Sequence, residues 1–236
     1  MLASVAVRIL ASLLVGSAGA GDYSSLLNGP QCRPYHHGGA KQPMWARRRR
    51  MTVLVDSVLL SGGPQLREAR PCWRVHLRGR PALMIRVAER ELRARRRVAP
   101  LVVIGLGYNS LWERHRRHHR HWASRFDHEA LRLLRTLRRL GARQFVWVTL
   151  REPTSATVPP AGRAELGQYA WYFPYVNQRL RRLDRRRKDL VLADWARASR
   201  RRGLTYDSIH LNRHGARVMA RTIRRAIYAE AVRQAR

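Results

Sequence analysis

The sequence contains almost no lysine and little acid. Of its 48 basic residues only Lys41 and Lys188 are lysines, and 15 acidic residues oppose them, for a formal net charge of +33 over 236 residues. So little acid excludes a surface of balanced ion pairs. It leaves one that attracts polyanions: nucleic acid, anionic lipid or acidic envelope polymers. An arginine-favouring codon bias would explain the choice of cation. It would not remove the consequence, which is salt-sensitive adhesion to anionic surfaces. Cysteine is nearly absent too. Cys32 and Cys72 are the two present, which excludes a dense disulfide scaffold and any C-x-x-C metal or redox motif. One disulfide between them and two free thiols both remain open.

Long apolar runs are also missing. The run from Ile9 to Val15 is too short to span a bilayer. It follows Arg8 and precedes Ala18-Gly19-Ala20, the pattern of a secretory leader cleaved after Ala20. The expected organisation is a leader at 1–20, a basic linker at 21–50 and one domain at 51–236. Export to the periplasm, envelope or medium follows, with a mature chain starting at Gly21. Translation from Met51 would instead give a cytoplasmic protein. Despite the charge, 45% of the residues are hydrophobic, enough for a substantial core.

The apolar pattern then alternates between two periods. Strand-like pieces lie at Thr52 to Val55, Trp73 to Leu77, Leu101 to Leu106, Gln144 to Leu150 and Leu190 to Ala193. Helical patterns lie between and after them, at Ala82 to Arg96, Glu129 to Leu140, the second half of Gln168 to Arg186, and Asn212 to Arg233. Pro174 argues against one continuous helix from Gln168. This order predicts an α/β fold: a flavodoxin-like three-layer αβα sandwich with a five-stranded parallel sheet, order 2-1-3-4-5. Sites in such sheets lie beyond the carboxyl ends of the strands. Ser57, Gly79 and Asn109 follow the first three strands, and Asp207 and His210 follow the fifth.

Serine is a weak nucleophile until a base takes its proton. His210 is a candidate base for Ser57, and Asp207, three residues before it, a candidate to hold its ring. Each has a plainer alternative. Ser57 could cap a helix, His210 could be one more exposed histidine, and Asp207 or Asn212 could cap the last helix. Asp56 reads as a loop-organising acceptor, and Asn109 could simply favour a turn.

The blocks Val55-Asp56-Ser57-Val58-Leu59-Leu60-Ser61-Gly62, Gly107-Tyr108-Asn109-Ser110 and Asp207-Ser208-Ile209-His210 resemble those of the SGNH/GDSL hydrolases. Gly79-Arg80-Pro81 matches a fourth block by its position and its glycine. The resemblance covers about residues 52–228. It implies a serine esterase with Ser57 as nucleophile, His210 as base and Asp207 as its partner, working without a metal or organic cofactor. It also implies an oxyanion hole made by the backbone N–H groups of Ser57 and Gly79 and the side-chain amide of Asn109. Val55 stands where the family usually has glycine, and Ser110 where aspartate is common. The substrate expected is an O-acyl or O-acetyl ester on an envelope glycan or lipid. An O-acyltransferase, or a weakly active polyanion binder on the same fold, is the alternative. Anionic envelope polymer or lipid is the expected partner of the basic surface. No nucleic-acid-binding signature accompanies the charge.

Two clusters stand outside this set. His115 and His119 would share a helix face, as two metal ligands could, but the surrounding arginines oppose a dication. Tyr169, Trp171, Tyr172, Phe173 and Tyr175 could line a pocket or pack in the core.

Overall fold

Aliphatic residues fill five short segments, and all five pair side by side. In the computed structural model, which describes residues 43–69, 72–111 and 114–235, they are β1 (Arg50–Val55), β2 (Arg74–Gly79), β3 (Leu101–Gly105), β4 (Gln144–Val148) and β5 (Leu190–Ala193). They form one sheet of order β2-β1-β3-β4-β5, and every pairing is parallel. The order is the one expected. All residues of β3 and β4 are buried, which is why β3 reads as an unbroken apolar run and β4 as one after Gln144.

The helices are α1 (Met44–Arg47), α2 (Ser57–Leu60), α3 (Gly63–Glu68), α4 (Ile85–Arg93), α5 (His119–Ser124), α6 (Phe126–Arg139), α7 (Leu166–Tyr169), α8 (Tyr172–Arg186), α9 (Trp195–Ala198) and α10 (Arg213–Ala235). They cover both sides of the sheet. α4 packs on α6 and α6 on α8, while α10 packs on α3 and α9. Leu133, Leu134 and Leu137 of α6 and Val176 and Leu180 of α8 are fully buried. Each such side chain contributes about 1.5–3 kcal/mol relative to exposure.

Several boundaries differ from the sequence expectation. α4 is shorter than Ala82–Arg96, because Ala82 takes a left-handed backbone (φ 56°) and Met84 an extended one. Pro174 lies in the first turn of α8, where its missing N–H leaves no helical bond unmade. Ordered structure begins ahead of residue 51. Trp45 of α1 is buried, and its indole N–H donates to Gln234 Oε1 at 2.8 Å. The leader expected at 1–20 and most of the linker expected at 21–50 lie outside the described residues. Cys72 is disulfide-bonded; the pairing weighed for it, with Cys32, has its other end outside them.

Candidate active site

The chain leaves β1 at Val55 and turns at once into α2. Asp56, extended at φ −98°, caps that helix by accepting the Val58 N–H on Oδ1 at 3.1 Å. Ser57 is therefore the first helical residue and not the cap. Its backbone N–H belongs to the turn that has no acceptor within the helix. Val55 keeps ordinary strand backbone, so the turn does not need the glycine usual at that position.

His210 reaches Ser57 from the other end of the chain. Thr205 and Leu211 form an antiparallel bridge, and the Tyr206 N–H donates to the His210 carbonyl at 3.1 Å. The narrow turn between them is tied by Asp207. Its Oδ1 accepts the backbone N–H groups of Ile209 (2.8 Å) and His210 (2.6 Å), and its Oδ2 lies 2.7 Å from His210 Nδ1. With the proton on Nδ1, the lone pair of Nε2 faces Ser57 Oγ at 3.0 Å. Burial alone would raise the Asp207 pKa. Hydrogen bonds from the His210 ring and the two backbone amides outweigh it, so the carboxyl sits below its ordinary range. A stable carboxylate at that place favours the imidazolium that forms when the ring takes a proton. Asn212 caps α10, accepting the Gly215 N–H at 2.9 Å, which leaves Asp207 to the turn.

Gly79 and Asn109 flank this pair. Gly79 ends β2 in register with Val55. Its φ is +156°, and a Cβ there would stand 1.9 Å from the Val55 carbonyl oxygen and 2.7 Å from Val55 Cγ2. Only glycine fits beside Val55. Asn109 follows β3, and its Nδ2 donates to Asp56 Oδ2 at 3.1 Å. An amide nitrogen carries two hydrogens, so one N–H orients the group and a second remains. Asp56 is fully buried, and burial pushes its pKa up to about 7 against the hydrogen bonds it accepts. It is an organising acceptor, as its position beside Ser57 suggested.

Two contributors were not singled out from sequence. Arg151, just after β4, is completely buried. Its Nη1 donates to Thr205 Oγ1 (2.9 Å) and its Nη2 to the Thr157 carbonyl (2.7 Å), while its backbone N–H meets the Tyr108 hydroxyl at 2.5 Å. Thr205 Oγ1 in turn donates to the Asp207 carbonyl at 2.8 Å. Arg151 thus ties the turn carrying Asn109 to the turn carrying Asp207. Among 46 arginines (48 basic residues less two lysines) no sequence signal marks it. Tyr206 stacks on the His210 ring, with centroids 5.7 Å apart and planes 11° apart; its place beside Asp207 was the available signal.

The two outlying clusters resolve differently from the site. His115 is extended and precedes a 3-10 turn at Arg116–His118, so it shares no helix face with His119. His119 Nε2 lies 3.0 Å from the Arg114 carbonyl oxygen. Tyr172 and Phe173 are core residues, Phe173 meeting Tyr108 edge-on at 5.2 Å, while Trp171 is exposed.

No family model and no curated protein matches the sequence. Solved structures do match the fold. The C-terminal catalytic domain of Streptococcus pneumoniae peptidoglycan O-acetyltransferase A, solved with a methylsulfonyl adduct, superposes with a TM-score of 0.55 at 16% identity, over 76% of this chain and 93% of that one. A GDSL-like lipase from Bacteroides thetaiotaomicron gives 0.57 at 15%, over 80% and 92%. An acetyl xylan esterase gives 0.54 at 15%, over 75% and 99%. The fold is that of the SGNH/GDSL hydrolases. At these identities the SGNH likeness is one of architecture.

Proposed function

We propose that this SGNH-fold protein is a serine esterase that cleaves an O-acyl or O-acetyl ester. One observation carries the reading: a hydroxyl, an imidazole and a carboxylate in line, with contacts of 3.0 Å and 2.7 Å. Ser57 Oγ attacks the ester carbonyl as His210 Nε2 takes its proton. Negative charge then collects on the former carbonyl oxygen. The Ser57 and Gly79 N–H groups and the free amide hydrogen of Asn109 are the donors for it, and preorganised donors of this kind are commonly the largest contribution to the rate. His210 returns the proton to the departing alkoxide, leaving an acyl-serine and a free alcohol. Water, deprotonated by His210, attacks the acyl carbonyl. Carboxylic acid leaves and Ser57 recovers its proton.

A sugar hydroxyl in place of that water would make the same site an O-acyltransferase. The likeness to an O-acetyltransferase domain supports this second reading. Both run through the acyl-serine, so one experiment tests what they share. Turnover of p-nitrophenyl acetate is expected in the wild type and lost in Ser57→Ala. Equal rates in the two would reject Ser57 as the nucleophile.

A further inference from the structure

The end of the sheet opposite Ser57 holds a groove of about 1020 Å³. Most of it is built by the segments that enter the strands, with His76 and Arg78 of the edge strand β2 along one side, whereas Ser57 lies just after the carboxyl end of β1. Eight exposed cations line it: Arg48 and Arg50 at the entry to β1, Arg78 on the edge strand β2, Arg96 and Arg97 ahead of β3, Arg139 and Arg143 ahead of β4, and Lys188 ahead of β5. Asp189 is the single acid among the lining residues, and it is held by Arg138 and Arg187. Among the described residues none of the eight cations forms an ion pair. Elsewhere the surface does pair its arginines where it can, as in Arg80 with Glu91 and Arg179 with Asp127. The groove therefore gathers like charges from five separate segments, and no described acid pairs with any of them.

The chemistry of the lining narrows the ligand. Guanidinium forks match phosphate oxygens two at a time. The volume slightly exceeds the usual range for a drug-sized ligand, so it suits several linked units better than one free ion. Binders of single-stranded nucleic acid stack bases on exposed aromatic rings. Here the lining indole, Trp45, is 5% exposed, and its N–H is spent on Gln234. His76 is the other lining ring, and partial burial, with its arginine neighbours, holds it toward the neutral form. We propose that this groove binds a linear phosphate polymer without bases, anchoring the protein by the sheet end that faces away from Ser57. The polymer is a tether and not the ester substrate, because the two sites lie at opposite ends of the strands.

The test is retention of the full chain on two probes, long-chain inorganic polyphosphate and poly(glycerol phosphate), with oligo(dT) of equal charge as competitor. The variant Arg50→Glu/Arg97→Glu/Arg143→Glu should bind at least about tenfold more weakly, since each lost phosphate contact lowers affinity and its salt dependence. Arg90→Glu/Arg182→Glu/Arg225→Glu changes the total charge equally on exposed helix positions and should bind like the wild type. The corresponding arginine-to-glutamine groove variant, checked by thermal melting, keeps the comparison valid if charge reversal harms folding. The probe held more tightly identifies the source of the polymer. Equal losses in groove and helix variants, or no retention on either probe, would overturn the proposal. Oligo(dT) bound more tightly than both polymers would also overturn it, in favour of nucleic acid.

Discussion

Single residues decide the chemistry, and two carboxylates near Ser57 show how differently burial can act. Asp207 ends with a lowered pKa because three hydrogen bonds outweigh its desolvation. Its stabilising contribution is present above the ordinary carboxylate range and is lost only as pH falls through the lowered value. Asp56 has the opposite sign. Its folded pKa of about 7 lies above the ordinary 3.8, so between those values the folded chain keeps a proton that the unfolded chain has released. Asp56 therefore lowers stability as pH rises through that window, by at most about 1.4 kcal/mol per pH unit. In Asp56→Asn that component disappears. Stability curves from urea denaturation, measured from pH 4 to 8, should show the wild type losing ground to the variant with rising pH. Parallel curves would mean that Asp56 is ionised in the fold at every pH tested. Asp56 and Ser57 could be picked out from sequence because they follow an apolar run directly. Arg151 could not, since its significance lies in burial and its residue type is everywhere.

Elements bring these residues together by close backbone approach. The segment 160–165 packs on the turn that holds Asp207. A Cβ on Gly162 would lie 2.7 Å from the Ser208 nitrogen and 2.8 Å from the Asp207 carbonyl carbon. Both are backbone atoms and cannot swing aside. Gly162→Ala should therefore shift the Asp207–His210 turn and lower turnover about 10-fold or more, although residue 162 contributes no reacting group; a 1 Å displacement can cost about 10²-fold. Unchanged kcat for p-nitrophenyl acetate, with an intact melting transition, would show that the loop yields instead. No sequence pattern revealed this contact, because 151–166 carries no periodicity and its role lies in what it touches. β3 was legible for the contrary reason: a parallel strand buried on both faces reads as one apolar run. Helix ends were less legible, since Ala82 and Pro174 act through local backbone geometry.

At the scale of the molecule, a 2-1-3-4-5 parallel sheet places every strand's carboxyl end on one side. Ser57 and His210, 153 positions apart in sequence, meet there because β1 and β5 point the same way. The same parallelism puts the entry segments on the other side, where they collect uncompensated arginines. The first arrangement could be anticipated, since motif blocks fell after successive strands. The second could not, because the cations of the groove come from short stretches that look alike throughout the chain. The proposed function requires that His210 activate Ser57 within this fold. Its most direct test is labelling with diisopropyl fluorophosphate, read by mass spectrometry of the intact protein and its peptides. One phosphoryl adduct per chain is expected, on the peptide carrying Ser57, with labelling abolished in Ser57→Ala and severely slowed in His210→Ala. An adduct on another serine, or equal labelling rates in the wild type and His210→Ala, would contradict it.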